Sequence, residues 1–275
     1  MSDSPLASPL PWDLVSTAYE AEVTPVFEGY ARHALQLAAP ANGTRLVDVA
    51  CGPGTLAVLA AQAGHPVDAI DFAPRMIERL DARIAELGLD SITSRVGDGQ
   101  QLPYEAGQFA AGFSMFGLLF FPDRARGFAE LARVLVPGAR AVVSSWQPLD
   151  EVPVMSGIFG ALRELLAGVF GQSGMPATSE SPLTTRDACR AEMGVAFDQV
   201  EVHPVSHVMR YASPDAMWES IARTLAPIVL LRTRLGVEKW KPLDDGLRAA
   251  THRAVGDGPP EFAMHAWLSV GTARG

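Results

Sequence analysis

Between residues 42 and 150, short apolar runs alternate with segments in which apolar residues recur every three or four positions. The apolar runs predict strands, and the periodic segments predict helices between them. Alternation of strand and helix is typical of a parallel sheet covered by helices, so the pattern predicts an α/β fold. The predicted strands are Arg45–Val49, Pro66–Ile70, Ser94–Val96, Phe109–Phe113 and Arg140–Pro148, and the predicted helices are Leu56–Ala63, Ala73–Gly88 and Arg124–Leu135.

Helical spacing also characterises the segment before this region. Apolar residues recur at helical intervals from Val15 to Leu35, which predicts one or two helices interrupted near Pro25. The Ser- and Pro-rich stretch Ser2–Pro11 is expected to be mobile until something orders it. We interpret residues 1–41 as a helical lid in front of the main fold.

The alternation lapses after Pro148. The apolar stripe Ile158–Phe170 has helical spacing and predicts a cap inserted over the sheet. Three further elements are predicted beyond it: a strand at 197–211 with a break at Pro204, a helix at 214–224 and a final strand at 261–274. The sequence thus predicts four segments: the lid 1–41, the core 42–150, the cap 151–195 and the C-terminal part of the sheet, 196–275.

Composition narrows the class of protein. The chain has 275 residues, of which 48% are hydrophobic and 19% charged, as in an ordinary globular protein. A net charge of −9 argues against a nucleic-acid partner. Cys51 and Cys189 belong to no metal-ligand cluster, so no metal site is expected. The sequence shows neither a secretory leader nor an apolar run of ~18 residues, which predicts a cytoplasmic protein without a membrane partner.

The stretch LVDVACGPGTLA, residues 46–57, carries the first candidate site. Gly52 and Gly54 lie where the predicted strand turns into a helix, so a ligand can approach the backbone there. The glycine spacing also fits the loose dinucleotide pattern G-x-G-x-x-G/A. Asp48, at the end of the strand, would repel a pyrophosphate but suits a ligand with a cationic amino-acid end and no phosphate. S-adenosylmethionine is such a ligand.

Acidic residues also end the next two predicted strands. Asp71 follows the second strand, where a carboxylate can accept hydrogen bonds from both hydroxyls of a ribose. Asp98, in GDGQQLP, ends the third strand and can accept from an adenine amino group. With Asp48, these carboxylates predict one path for a nucleoside ligand.

Four motifs, in order, resemble those of class I S-adenosylmethionine-dependent methyltransferases, in the bacterial group of type 11 and quinone-biosynthesis enzymes. They are LVDVACGPGTLA, AIDFAPRMI, GDGQQLPYEAGQFAAGFSMFGLLFFPD and LARVLVPGARAVVSSW, and the match covers residues 42–146. The resemblance implies a Rossmann-like, seven-stranded, mostly parallel sheet with an antiparallel last strand, for which residues 262–272 are the candidate. It also implies S-adenosylmethionine as cofactor and S-adenosylhomocysteine as product, without naming a substrate.

The same resemblance assigns roles to individual residues. The implied cofactor residues are Asp48, Gly52 and Gly54 at the methionine part, Asp71 at the ribose, Phe72, Met76, Asp98 and Gly99 at the adenine, and Ser114 and Phe116 at the methionine and the transferring methyl. Tyr19 and Tyr30 are expected to close over the cofactor from the lid. The expected acceptor pocket contains Tyr30, Phe116, Trp146 and Phe159.

A sulfonium already activates its methyl group, so the protein mainly has to align the acceptor and exclude water. Many relatives carry a polar or His-containing stretch after the fourth strand, whereas this chain has FGLLFFPD, which favours a small, apolar acceptor. The candidate bases are His33, His203 and His207, of which the last two share one face of a predicted strand. The sequence selects none of them, and it leaves the acceptor atom and the oligomeric state open.

Two other functions remain open at this point. A noncatalytic protein can keep this fold as a binding module, and an NAD-binding oxidoreductase has a similar first strand-to-helix turn. Asp48 and the Asp98 loop argue against the oxidoreductase.

Overall fold

A seven-stranded mixed sheet forms the centre of the protein in a computed structural model, which describes residues 4–148, 151–170 and 182–275. The strands are β1 Leu46–Val49, β2 Val67–Asp71, β3 Ile92–Val96, β4 Phe109–Ser114, β5 Leu135–Trp146, β6 Phe197–Arg210 and β7 Glu261–Ala273. Their order across the sheet is β3-β2-β1-β4-β5-β7-β6. Strands β1 to β5 are parallel, and β7 is antiparallel to both β5 and β6. The predicted mostly parallel sheet with an antiparallel last strand is therefore confirmed.

Helices cover the sheet and its carboxyl edge. They are α1 Leu10–Ala18, α2 Thr24–Ala38, α3 Thr55–Gln62, α4 Pro74–Leu87, α5 Arg124–Val134, α6 Pro153–Phe170, α7 Arg186–Met193, α8 Pro214–Thr224 and α9 Ala226–Val255. None of the helices in the described ranges is both long enough and apolar enough to cross a bilayer.

The N-terminal segment is more ordered than its composition suggests. In the described part of Ser2–Pro11, Pro5–Ala7 form a 3-10 turn and α1 begins at Leu10, and the expectation that this stretch is mobile until something orders it stays a prediction. The indole Nε1 of Trp12 donates to the Leu6 carbonyl at 3.0 Å and holds this turn against α1. The predicted interruption falls at a π-helical turn, Tyr19–Val23, just before Pro25.

Strand β6 runs without a break through Pro204, contrary to the prediction. Pro204 pairs with Trp267 of β7, and β6 is the last strand of the sheet. A proline lacks the N–H group, which an edge strand does not need on its free side, so the residue is tolerated there. The irregularity of β6 lies instead between Asp198 and Glu201, where the register shifts.

A second hydrophobic cluster, which we call the cap cluster, packs beside the sheet core. It joins Ile158 of α6 to Trp218 of α8 and to Trp240 and Leu247 of α9. Helix α9 is not predicted by the apolar pattern, because a kink at Gly236, where φ is 73°, and Pro242 interrupt that pattern. Helices α8 and α9 thus pack together with α6, and the division of the chain into lid, core and cap stays a prediction.

Candidate functional site

A cavity of about 220 Å³ opens at the carboxyl ends of the central strands. Its walls come from the turn after β1, the ends of β2 and β3, the loop after β4 and the N-terminal helices. In a parallel sheet this edge is where ligands bind, because the strand-to-helix turns present free backbone groups there.

The turn after β1 uses its two glycines differently. Gly52 borders the cavity with φ of 55°, and a Cβ added there would meet no atom within 4 Å. A Cβ added at Gly54, where φ is 79°, would lie 2.3 Å from Cδ1 of the buried Leu80. Gly52 therefore leaves space on the ligand side, whereas Gly54 lets the turn before α3 lie close to Leu80 of α4 and does not border the cavity.

Asp48 is a buried carboxylate with one oxygen free for a ligand. The residue is 1% exposed, and its Oδ2 accepts from the Ala57 N–H at 3.2 Å. Its Oδ1 has no hydrogen-bond partner among the described residues, and the residue borders the cavity. Burial, with a smaller contribution from Asp71, raises the pKa of Asp48 to about 8. Such a group is stabilised in its ionised form by a cation that donates hydrogen bonds.

Asp71 joins two of the strand-end loops. Its Oδ2 accepts from the Gly52 N–H and its Oδ1 from the Ala73 N–H, both at 2.9 Å. Burial outweighs these hydrogen bonds and raises the pKa of Asp71 to about 6. Each carboxylate oxygen can accept a further hydrogen bond, so Asp71 can hold a ligand as well as fix the turn.

The loop after β3 borders the same cavity. Asp98 is exposed, and its Oδ1 accepts from the Gln100 N–H at 2.8 Å. Gly99 is buried, and a Cβ there would lie 2.5 Å from Cζ of Phe121, so the loop can pass close to this ring only with glycine. Phe72 and Met76 add an apolar surface to the cavity.

The N-terminal helices contribute aromatic side chains. Trp12, Tyr19 and Phe27 border the cavity, and the Trp12 ring packs edge-on against Phe120 from the loop after β4, with centroids 4.9 Å apart. Burial and the nearby Asp71 carboxylate raise the pKa of Tyr19 above its ordinary value.

Polar contacts fasten the N-terminal helices to α4. Asp13 Oδ1 accepts from the Arg75 N–H at 2.9 Å. Arg79 forms an ion pair with Glu20 of the π-helical turn. The N-terminal segment is thus fastened to α4 by both contacts.

Several predicted site residues lie behind the cavity wall. Tyr30 is fully buried and its hydroxyl donates to the Met264 carbonyl at 2.8 Å, while Trp146 stacks on Phe116 with centroids 4.1 Å apart. Ser114 accepts from the Leu118 N–H through its Oγ at 3.1 Å. Phe159 lies on α6, and like Tyr30, Trp146 and Ser114 it does not border the cavity.

The three candidate histidines also lie away from the cavity. His207 packs against Tyr30 with centroids 4.3 Å apart, and burial together with nearby His33 lowers its pKa. His203 Nε2 lies 3.2 Å from Glu201 Oε2, and His33 is exposed on α2. No described histidine, lysine or arginine borders the cavity.

Three aromatic residues that border the cavity, Trp12, Phe27 and Phe120, are not predicted as site residues from the sequence. Helical periodicity places Phe27 and Tyr30 on one general face of α2, but it cannot tell which of them is above the cavity. The FGLLFFPD stretch did signal an apolar wall, and Phe120, Phe121 and Pro122 of that stretch border the cavity.

A family model described as a methyltransferase domain matches residues 46–138. Among curated relatives, an uncharacterized protein of Mycobacterium tuberculosis is 38% identical over 107 residues, 39% of each chain. Nocamycin O-methyltransferase of Saccharothrix syringae is 34% identical over 155 residues, 55% of each chain. Demethylmenaquinone methyltransferase of Deinococcus radiodurans is 34% identical over 142 residues, 51% of this chain and 56% of the relative. The chain thus spans about half, or less, of the length of these relatives.

Solved structures share the fold over almost the whole chain. The [4+2]-cyclase SpnF superposes with a TM-score of 0.60 at 16% identity and covers 97% of this chain and 96% of its own. A putative methyltransferase of Bacillus halodurans superposes with a TM-score of 0.58 at 19% identity and covers 90% of this chain and 100% of its own. At these identities the likeness concerns the fold alone.

Proposed function

We propose that the protein is an S-adenosylmethionine-dependent methyltransferase, because a family model described as a methyltransferase domain matches residues 46–138. We propose that its acceptor is a small, largely apolar molecule. The cavity at the strand ends is the site of both cofactor and acceptor in this proposal.

The observation that carries the proposal is the free oxygen of Asp48. Its Oδ1 is buried at the cavity without a partner among the described residues. A buried polar atom without a hydrogen bond destabilises the fold by about 1–3 kcal/mol, so a ligand that donates to it binds with a corresponding gain. The ammonium group of S-adenosylmethionine can supply Oδ1 of Asp48 with a hydrogen-bond donor and a positive charge. A dinucleotide would instead bring its negatively charged pyrophosphate to the same turn.

The remaining cavity residues fit the rest of the cofactor. The open space beside Gly52 leaves room for the amino-acid part. Asp71 has acceptor capacity for the ribose hydroxyls and is already fixed by two backbone N–H groups. Asp98 and the apolar surfaces of Phe72 and Met76 suit the edge and the faces of an adenine ring.

The chemistry that S-adenosylmethionine supplies when bound is a methyl group on a positively charged sulfur. The residues of this chain then have to hold the acceptor in line and keep water out. Phe27, Ala31 and Phe116 give the cavity an apolar wall suited to that task. Alignment of this kind reaches effective molarities on the order of 10⁵ M or more in model reactions, so positioning alone accounts for much of the rate.

No basic side chain among the described residues borders the cavity. An anionic acceptor such as a phosphate ester would therefore find no cationic side chain in the described part of the wall, and the acids Asp48, Asp71 and Asp98 border the same cavity. We therefore propose an uncharged or weakly acidic acceptor whose reacting atom needs no protein base to become nucleophilic.

Calorimetric titration with S-adenosylmethionine and, separately, NADH tests the proposal. Wild-type protein is expected to bind S-adenosylmethionine saturably and NADH not at all, and Asp48→Asn is expected to weaken binding by about tenfold or more, the magnitude of one charge-assisted hydrogen bond. Asp68→Asn is the matched control, because Asp68 is a buried carboxylate of β2 paired with Arg45 and does not border the cavity. Folded wild-type protein that binds only NADH would refute the proposal.

Asp71→Asn is preferable to Asp71→Ala as a probe of the ribose contact. Asp71 fixes Gly52 and Ala73 through its two oxygens, so an alanine would also release the turn that shapes the cavity. The asparagine keeps the side-chain shape and one acceptor oxygen, so it releases one of the two backbone N–H groups where alanine releases both, and it disturbs the turn less.

A second function is favoured by one comparison. The chain shares its fold with a protein described as a [4+2]-cyclase, so this fold does not by itself imply methyl transfer. A binding module or an enzyme of another reaction would bind S-adenosylmethionine without forming S-adenosylhomocysteine. Assays for S-adenosylhomocysteine across a panel of phenols, enols, amines and quinols separate these cases.

A further inference from the structure

Two non-glycine residues with left-handed backbone meet at the cavity. Ala50, after β1, has φ of 56°, and Phe116, after β4, has φ of 57°. A Cβ added at Gly117, beside Phe116, would lie 2.3 Å from Cβ of Ala50, so the two loops are in close contact. Left-handed backbone is unfavourable for alanine and phenylalanine and persists only where the surroundings enforce it.

Ser144 helps to hold the backbone of Phe116 in this left-handed conformation. Ser144 is fully buried on β5, and its Oγ accepts from the Phe116 N–H at 2.7 Å. Ser114 acts similarly two residues further along the loop, where its Oγ accepts from the Leu118 N–H. Two buried hydroxyls thus hold the backbone of the loop after β4, and the one on Ser144 acts at the left-handed residue itself.

The Phe116 ring is held as firmly as its backbone. It stacks on Trp146 at an interplanar angle of 20°, and its centroid lies 5.3 Å from that of Tyr30 and 4.7 Å from that of Phe27. Phe116 is 5% exposed and borders the cavity. Because Gly117 touches Ala50, two residues after Asp48, the loop that carries Phe116 adjoins the turn that follows Asp48, and both Phe116 and Asp48 border the cavity.

We infer that Ser144 is a positioning residue, which sets the Phe116 ring against the positively charged sulfur of bound S-adenosylmethionine. This inference rests on the proposed function and adds to it a residue that lies outside the cavity. The face of an aromatic ring attracts a cation within about 6 Å, and this attraction depends on the placement of the ring. S-adenosylhomocysteine has an uncharged sulfur, so its binding does not depend on the ring in this way.

The test compares the two ligands in Ser144→Ala and in a matched control, Ser145→Ala. Ser145 is the adjacent residue of β5, equally buried, and its hydroxyl donates to the Leu183 carbonyl at 2.6 Å, away from the cavity. In calorimetric titrations we expect Ser144→Ala to weaken S-adenosylmethionine binding by about three- to tenfold and to leave S-adenosylhomocysteine binding within about twofold. We expect Ser145→Ala to leave the ratio of the two dissociation constants unchanged.

A second pair of variants keeps the test valid even if Ser144→Ala does not fold. Ser144→Thr and Ser144→Val add nearly the same volume and differ in the hydroxyl, so their difference isolates the hydrogen bond to Phe116 N–H. The threonine variant is expected to keep the wild-type ratio of dissociation constants and the valine variant to lose it.

The outcomes separate this inference from the function it rests on. Equal weakening of both ligands in Ser144→Ala, or the same ratio in the threonine and valine variants, would overturn the role of Ser144 while leaving cofactor binding intact. Failure of the folded wild-type protein to bind either ligand would overturn the proposed function, and the inference with it.

Discussion

The proposed cofactor end of the cavity is walled by backbone turns and carboxylates, whereas the aromatic end is walled by rings from the N-terminal helices and the loop after β4. The two ends adjoin where Gly117 of that loop touches Ala50 of the turn after β1. Asp48, Gly52 and Asp71 come from the ends of two neighbouring strands, where Asp71 accepts from the Gly52 N–H and Asp48 accepts from the Ala57 N–H. Trp12, Phe27 and the loop after β4 come from distant parts of the chain and meet only through packing. The first end is specified locally, and the second depends on how whole helices are placed.

The largest expected effects are losses in the free energy of unfolding, and they test whether the cap cluster and the cofactor end contribute differently to ligand binding. Trp218 is 1% exposed in the cap cluster, and Phe113 of β4 is fully buried beside Asp48 of β1. Trp218→Leu and Phe113→Leu are each expected to lower the free energy of unfolding by about 2–4 kcal/mol, through lost packing. Only Phe113→Leu should also weaken S-adenosylmethionine binding. Denaturant unfolding and calorimetry measure the two effects, and equal loss of binding in both variants would contradict this separation.

A smaller effect distinguishes the two glycines of the first turn. Gly54→Ala is expected to destabilise the protein by about 2 kcal/mol, because a left-handed backbone and the contact with Leu80 both oppose a Cβ there. Gly52→Ala meets only the backbone penalty, about 1 kcal/mol, but its Cβ enters the space reserved for the ligand. Thermal unfolding should therefore rank Gly54→Ala as the worse variant, and S-adenosylmethionine titration should rank Gly52→Ala as the worse.

The pH dependence of binding tests the carboxylates of the cofactor end. Burial raises the pKa of Asp48 to about 8, so the free protein holds this group protonated at lower pH. A cationic ligand needs the ionised form, and the association constant for S-adenosylmethionine should therefore fall by up to about tenfold per pH unit as the pH is lowered from 8 to 6. Asp48→Asn should remove this slope and Asp68→Asn should keep it. A pH-independent wild-type affinity would contradict the assignment.

The ligand-free protein should show the opposite trend in stability. A carboxyl whose folded pKa lies above its unfolded value adds stability at low pH that is lost as the pH rises through the folded pKa. Ionisation of Asp48 should lower the free energy of unfolding between about pH 4 and 8. Ionisation of Asp71, whose pKa is raised to about 6, should lower it between about pH 4 and 6. Denaturant unfolding across this range should show a shallower decline in Asp48→Asn.

The contrast between the two ends also explains what the sequence can predict. The alternation of strands and helices predicted the sheet, and Asp48, Asp71 and Asp98 were placed at its carboxyl edge because each ends a strand. Gly54 fits the same motif but serves helix packing, since its neighbour Leu80 comes from another helix. Motif spacing cannot distinguish a glycine that faces a ligand from one that faces a side chain.

At the aromatic end, the sequence predicted the type of residue more reliably than its position. Tyr30 and Trp146 were expected at the acceptor, yet they support Phe27 and Phe116 from behind. A helix and a strand each present several aromatic residues, and the one that reaches the cavity is set by the packing of α2 on the sheet. The kinked helix α9 was missed because Gly236 and Pro242 interrupt its pattern.

The smallest expected effect concerns closure of the aromatic end. The Trp12 ring joins the N-terminal segment to Phe120 of the loop after β4, and an edge-to-face contact of this kind contributes about 0.5–1.5 kcal/mol. Trp12→Ala should therefore raise the dissociation rate of S-adenosylmethionine by about two- to tenfold in stopped-flow measurements. Leu14→Ala, on the exposed side of the same helix, should leave the rate unchanged. If both variants release the ligand at the wild-type rate, the N-terminal aromatic residues shape the acceptor wall without retaining the cofactor, because the contact with Phe120 would then add nothing to the barrier for release.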